Sequence, residues 1–251
     1  MKAVILAAGM GTRLKPLTNK IPKALIEIDG KTLLERSLNS LDKNGINEAI
    51  IVVGFYGEAI KKRFGNKYKK INITYIENKE YKKTGSMYSF SKTKERLDED
   101  VILLESDLLY DPSAIKIVIS SNFKDLILVA NILKSNEDVY ICTNNKQEIT
   151  NLGKNIPDED KKQATGALVG ISKFSKEFLK KLFERAEQHY KEKKLNYHYE
   201  ENVFETSKLG HPVNAEIKKE LNWIEIDNEN DLKRAKEEVY PKIKEHQNIE
   251  H

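Results

Sequence analysis

Short apolar runs alternate with stretches of helical spacing through the first half of the chain. Ala3 to Leu6 is an unbroken apolar run that stops at Ala7-Ala8-Gly9, and Ala24-Leu-Ile-Glu-Ile28 reads as a second short strand ending in the turn Asp29-Gly30. Leu33, Leu34, Leu38 and Leu41 then recur every three or four residues up to Gly45, the spacing of one helix face. Ala49 to Val53 reads as a buried strand closed by Gly54, Ala59 to Phe64 as a short helix, Ile71 to Ile76 as a strand, Ser86 to Leu97 as a helix, and Val101 to Leu104 as a strand. This alternation predicts an α/β fold: a mostly parallel central sheet with right-handed crossovers and helices on both faces. Ligands of such sheets bind beyond the carboxyl ends of the strands, where the loops after Leu6 and after Leu104 both lie.

From residue 126 the pattern changes. Leu126 to Ala130, Asp138 to Cys142 and Glu148 to Leu152 are short strands separated by polar turns, the mark of an antiparallel meander or edge extension over about residues 131–165. Asn155 to Gln163 reads as a surface loop, Gly166 to Ile171 as a buried strand, and Phe174 to Lys191 as an amphipathic helix whose inner face carries Phe174, Phe178, Leu179, Leu182 and Phe183. A further helix begins near Tyr199, Val213 to Ile217 and Trp223 to Ile226 are strands, and Asp231 to Val239 closes the pattern as a helix. The expectation is one domain over residues 1–242 followed by a frayed tail over 243–251, with His246 and His251 at the surface.

Composition narrows the class. With 33% charged and 39% hydrophobic residues, and 43 Lys plus Arg against 39 Asp plus Glu, the profile is that of a water-soluble chain with little pull toward nucleic acid. The lone Cys142 sits among apolar residues, so no disulfide forms within the chain, and a reducing compartment is expected. No apolar run approaches the ~18 residues of a membrane span, and the first residues read as a strand rather than a leader. The expected setting is cytoplasmic, with no membrane and no nucleic acid as partner.

The candidate chemistry begins in the opening loop. Gly9 and Gly11 allow positive φ and close backbone approach, so successive N–H groups form a concavity for anionic oxygens, to which Arg13, Lys15 and Lys23 add charge. The spacing matches neither the Walker loop nor G-x-G-x-x-G, and a purely structural tight turn is the alternative. Glu105-Ser106-Asp107 ends an apolar strand in acids, well placed to hold Mg²⁺ over a bound triphosphate, and Trp223-Ile-Glu-Ile-Asp227 is a second apolar stretch feeding an acid. Taken alone, Asp227 reads first as an N-cap of the closing helix. Thr84-Gly85-Ser86 opens a helix with small residues, either as a plain cap or to present free N–H groups to a nucleobase or phosphate. Lys154 is a surface lysine or a phosphate grip. Tyr197-His-Tyr199-Glu200-Glu201 brings aromatics and acids together, suited to an ammonium group or to ordinary core packing.

Leu6-Ala-Ala-Gly-x-Gly-Thr12-Arg13-Leu, with Pro22-Lys23 beyond it, resembles the signature of the nucleotidyltransferases that activate sugar phosphates and phospho-amino-alcohols. The resemblance implies a Rossmann-like core, Mg²⁺, and an NTP whose triphosphate lies on Leu6, Ala7, Ala8, Gly9, Gly11, Thr12, Arg13 and Lys23. It implies further nucleotide contacts from Thr84, Gly85, Ser86 and Ser106, the loop around Gly85 and Ser86 meeting the base. Thr-Gly-Ser-Met, Leu-Leu-Glu-Ser-Asp, Gly-Lys-Asn, Tyr-Glu and Trp-x-Glu-Ile-Asp-Asn-Glu, read together, are similar to the 2-aminoethylphosphonate cytidylyltransferases and to the phosphocholine cytidylyltransferases of bacterial surface decoration. Sugar-1-phosphate enzymes carry Gly-Thr-Ala-Gly and Glu-Lys-Pro at the corresponding places. Two local departures from the phosphonate pattern are Ala167, where an acid is expected, and the Lys-rich segment before Tyr197.

What this resemblance implies is CTP and a small phosphonate or phosphate acceptor as partners, Asp107 and Asp227 as metal ligands, and Arg13, Lys23 and Lys154 as catalytic cations. Lys154, Tyr197, Tyr199 and Glu200 would meet the acceptor. A catalytically idle nucleotide-binding homologue is the contrasting class, and its mark would be loss of Arg13 or of a metal acid. Neither is lost here. Oligomeric state is not written in the sequence, and a homodimer stays open.

Overall fold

In a computed structural model, which describes residues 1–133 and 137–249, the apolar runs form a ten-stranded sheet among the described residues. Its strands are β1 Lys2–Ala7, β2 Glu48–Val53, β3 Lys67–Tyr68, β4 Ile71–Glu77, β5 Val101–Glu105, β6 Leu126–Ala130, β7 Tyr140–Thr143, β8 Ile149–Gly153, β9 Gly166–Phe174 and β10 Asn214–Ile217. The order is β8-β7-β9-β5-β1-β2-β4-β3, with β6 pairing β9 and β10. Around β1 the pairing is parallel, to β2 and β5, and β2 is parallel to β4. The registers Leu6 with Glu105 and Ala7 with Val53 set the carboxyl ends of β5, β1 and β2 level, so their following loops share one rim.

Alternation along the strands separates two cores. Ala3, Ile5, Ile51 and Leu104 face the helices α1 Leu33–Lys43, α2 Gly57–Phe64 and α4 Ser113–Ser120. Val4, Val52, Val101 and Leu103 face α3 Ser86–Ser91, α6 Lys176–Lys191 and α7 Tyr199–Ser207. The expected α/β, Rossmann-like fold with helices on both faces is what forms. Thr32 caps α1 by accepting from the Glu35 N–H at 3.1 Å, and Ser175 caps α6 by accepting from the Phe178 N–H at 3.2 Å.

Several local expectations change. The meander does not run β6 to β7: β6 lies antiparallel to β9 and parallel to β10, whereas β7 pairs with β8 and with the first residues of β9. Strand β9 is buried throughout and shifts register between Leu168 and Ser172, which lets it serve β7 at one end and β5 at the other. The helix expected to reach Leu97 stops at Ser91, and Thr93 bonds back to the Phe90 carbonyl at 2.7 Å before a 3₁₀ turn Lys94–Arg96. Ala24–Ile28 is a 3₁₀ turn Lys23–Leu25 followed by a two-residue strand, Glu27–Ile28, and the expected loop 155–163 holds α5, Asp158–Lys162.

The chain end departs most from expectation. After α8, Glu229–Arg234, a π-turn Ala235–Val239 leads into α9, Tyr240–Ile249, so residues 243–249 are helical rather than frayed. Ile243 is 2% exposed in a third apolar cluster with Leu14, Ile26 and Ile226. Tyr240 donates to Asp29 at 2.6 Å, and His246, though largely exposed, lies 3.3 Å from Asp111. His251 and Lys134 to Asn136, the latter within the expected extension, lie outside the described residues. No helix of the described residues is long and apolar enough to cross a membrane.

Candidate functional site

The rim shared by β1 and β5 opens onto a cavity of about 350 Å³. One side is the opening loop: Leu6, Ala7, Ala8, Gly9, Gly11, Thr12, Arg13 and Lys23 all line it. Gly11 has φ 57°, and a Cβ there would stand 2.7 Å from Lys23 Cγ, so a side chain would both strain the loop and push Lys23 aside. Thr18 Oγ1 ties the turn by donating to the Gly11 carbonyl at 2.7 Å.

Charges of both signs meet on the floor. Lys23 Nζ lies 2.9 Å from Asp107 and 2.5 Å from Asp227, and Arg13 lies 2.9 Å from the same Asp227 oxygen. Burial alone would lower the Lys23 pKa, but the two carboxylates outweigh it and hold the ammonium protonated. Burial likewise opposes charge on Asp227, and Lys23, Arg13 and Lys154 reverse the effect, so its pKa is lowered. Glu137, which lines the adjoining small cleft, contacts Arg13 and accepts from Lys154 Nζ at 2.7 Å.

Glu105, Asp107 and Glu225 each offer a carboxylate oxygen, all within 4.8 Å of one another. Burial, then the charges of Asp107 and Glu200, pushes the Glu105 carboxyl up to about 8. Glu225 is raised well above the usual range, by burial first and then by Asp107. Asp227 Oδ2 is buried without a hydrogen-bond partner among the described residues. Three converging carboxylates, with a fourth holding an unused oxygen beside them, fit a hard divalent cation such as Mg²⁺.

The N-cap alternative for Asp227 does not form. Asn228 is the cap, accepting from the Asn230 and Asp231 N–H groups at 2.9 and 3.1 Å. Asp231 in turn accepts from the Asp227 N–H at 3.2 Å, which leaves the Asp227 carboxylate free to face Lys23 and Arg13.

The opposite wall is Tyr81, Thr84, Gly85, Ser86 and Ser89, joined by His198 and Glu200. Buried Asn78 organises it by donating to Thr84 Oγ1 at 3.0 Å and Ser89 Oγ at 2.9 Å. Ser106, Lys154, Val139 and Leu168 line it too, as do all three carboxylates of the cluster, Glu105, Asp107 and Glu225.

Three expected site residues fall elsewhere. Asp227 does not line the main cavity but an adjoining small cleft that shares Glu225, Val139 and Leu168 with it. Tyr197 points away: its ring stacks on His189 at 4.1 Å and its hydroxyl donates to Glu205. Tyr199 is 1% exposed in the core beneath the sheet, because helix phase turns it inward and its neighbour Glu200 toward the cavity. Neither tyrosine is available to a ligand in the cavity.

The site also holds residues not singled out from the sequence. Glu225 stands two places before Asp227 just as Glu105 stands two before Asp107, a period-two signal that was legible. His198 and Tyr81 carried no such signal.

Residues 2–239 match the family described as nucleotidyl transferase. The chain belongs to that family. The relatives of this nucleotidyl transferase include a CMP-5'-(3-aminopropyl)phosphonate synthase of Streptomyces rubellomurinus, 34% identical over 116 residues. That match covers 46% of this chain but only 18% of that protein, so the chain spans less than half of that relative's length. A CTP:phosphoglutamine cytidylyltransferase of Campylobacter jejuni is 31% identical over 92% of this chain and 98% of its own. Among solved structures, the inositol-1-phosphate CTP transferase from T. maritima superimposes with a TM-score of 0.77 at 26% identity, over 97% of this chain and 96% of that one.

Proposed function

We propose that this nucleotidyl transferase is a cytidylyltransferase that moves CMP from CTP to a small aminoalkyl phosphonate or phosphate, 2-aminoethylphosphonate first, and releases pyrophosphate. The observation that carries the reading is Lys23 held between Asp107 and Asp227, beside a glycine loop and Arg13, at the carboxyl ends of β1 and β5. Cytosine and the amine draw their support from the names of the relatives, two of which act with CTP and one of which makes an aminoalkyl phosphonate conjugate of CMP.

An acceptor phosphonate oxygen is already ionised near neutral pH, so its attack on the α-phosphorus needs no general base. The new O–P bond forms as the bond from the α-phosphorus to its bridging oxygen breaks, and the electron pair leaves on pyrophosphate. The protein's task is alignment and charge neutralisation. Backbone N–H groups of the opening loop would cradle the triphosphate, with Arg13 on the departing pyrophosphate, Lys23 on the α-phosphate and Lys154 on the acceptor's anionic head. Thr84, Gly85, Ser86 and Ser106 would meet base and ribose. Glu200, with His198 beside it, would face the amine in place of Tyr197, which points away, and Tyr199, which is buried. Asp107 and Asp227, supported by Glu105 and Glu225, would hold Mg²⁺, whose positive charge would stabilise the pentacovalent phosphorus.

The test is pyrophosphate release from CTP with 2-aminoethylphosphonate, phosphocholine, phosphoethanolamine and glucose 1-phosphate. The amino compounds should be used in preference to the sugar. Preference for glucose 1-phosphate, or CTP binding without release on the whole panel, would sink the reading.

A further inference from the structure

The two walls that would hold nucleotide and acceptor come from distant parts of the chain, yet they are bolted together by main-chain bonds. The Gly85 N–H donates to the Leu195 carbonyl at 2.8 Å, the Met87 N–H to the Tyr197 carbonyl at 3.2 Å, and the Tyr199 N–H to Ser86 Oγ at 2.9 Å. The fit is tight: a Cβ on Gly85 would overlap the Tyr197 carbonyl oxygen and stand 2.7 Å from the Asn196 carbonyl carbon. His198 and Glu200, immediately after this joint, line the cavity.

Residues Leu195 to His198 have no regular secondary structure of their own, so something else must hold them in place. His198 is tied to α7 by its N–H donating to Glu201 at 3.0 Å and approaches Ser86 Oγ at 3.4 Å; ahead of it, the side chain that holds the stretch is Tyr197. Its ring stacks on His189, and its hydroxyl donates to Glu205. Glu205 also accepts from Arg185 Nε at 2.8 Å and lies 2.8 Å from His189 Nε2, so the carboxylate is fixed from α6 while it belongs to α7. The cluster clamps the loop to both helices at a point that never touches the cavity.

We infer that Tyr197 is a positioning residue that locks the wall bearing His198 and Glu200 onto the wall bearing Gly85 and Ser86. α3 has independent anchors, namely Met87 and Phe90 in the core and Asn78 on Ser89. The stretch 195–197, ahead of the His198 cap, has the clamp as its side-chain anchor. Removing the phenol oxygen therefore loosens the acceptor side more than the nucleotide side.

Two readouts on Tyr197→Phe test this, and only the kinetic one rests on the proposed reaction. Amide exchange at Gly85, Met87 and Tyr199 should quicken by about tenfold, the ratio that loss of one hydrogen bond to a charged group allows, while β1 and β2 amides stay protected. With the acceptor that wild type uses, KM for the acceptor should rise by a similar factor of about ten, with kcat and KM for CTP within about twofold. Unchanged exchange at those three amides overturns the inference, as does a uniform fall in every kinetic parameter. If wild type releases no pyrophosphate on the panel, the proposed function fails while the exchange measurement still decides the clamp.

Discussion

Lys23 reaches Asp227 across 204 positions of sequence, and their side chains meet at 2.5 Å. Asp227 is 3% exposed and Lys23 13%, so neither charge is screened by water. Breaking a buried pair by removing one partner costs about 3–5 kcal/mol, because the other charge is left behind. Lys23→Met leaves Asp107 and Asp227 facing each other, with Arg13 and the more distant Lys154 left to offset them. The variant should unfold at lower urea than wild type and release pyrophosphate at least about 10²-fold more slowly. Mg²⁺ should raise its melting temperature more than that of wild type, since the freed carboxylates then have a cation to bind. Thermal scans with Mg²⁺ and with chelator measure this, and an equal response in both proteins would count against a shared cation site.

The clamp around Glu205 carries a pH signature. Burial would raise its carboxyl pKa, but the Tyr197 hydroxyl, Arg185 and His189 outweigh burial and hold it below the ordinary 4.5. A carboxyl whose folded pKa is depressed stabilises the fold fully above its unfolded value and loses that contribution as pH falls through the folded one. Wild type should therefore melt above Glu205→Gln by a constant margin from neutral pH down to about pH 4.5, and the margin should close below it. A margin that widens in acid would show that the carboxylate is not the stabilising form.

Local pattern made part of this molecule legible, and long-range choice hid the rest. The opening loop, Asp107 and the flanking strands were readable because each needs only its neighbours: small residues at a strand end, and acids where an apolar run stops. Strand partners were not, since β6 and β7 look alike as short apolar runs and only the bend in β9 decides which edge each takes. The α9 helix was missed because it offers little beyond Tyr240 and Ile243 as an apolar face, and the residues that bury Ile243 include Leu14 and Ile26 from the far end of the chain. Tyr197 and Tyr199 carried the right chemistry for an ammonium group. One became a clamp and the other core, because helix phase and the α6 partners, not residue type, set where each ring points.

Glu137 lies between two cations that the proposed reaction needs for other anions. It contacts Arg13 and accepts from Lys154 at 2.7 Å, so it links the opening loop to the residue after β8. A triphosphate must take both cations from it. Glu137 is 27% exposed and both partners are half in water, so each pairing is worth at most about 1 kcal/mol. Removing the negative charge while keeping the shape, in Glu137→Gln, frees both cations at little cost to the fold. Two such pairings together allow a gain of about tenfold in affinity for an incoming anion. Titration calorimetry with inorganic pyrophosphate should show that tightening, strongest at low salt because the contacts lie at the surface. Weaker binding by the variant would mean instead that Glu137 holds Arg13 and Lys154 in the geometry the phosphates require.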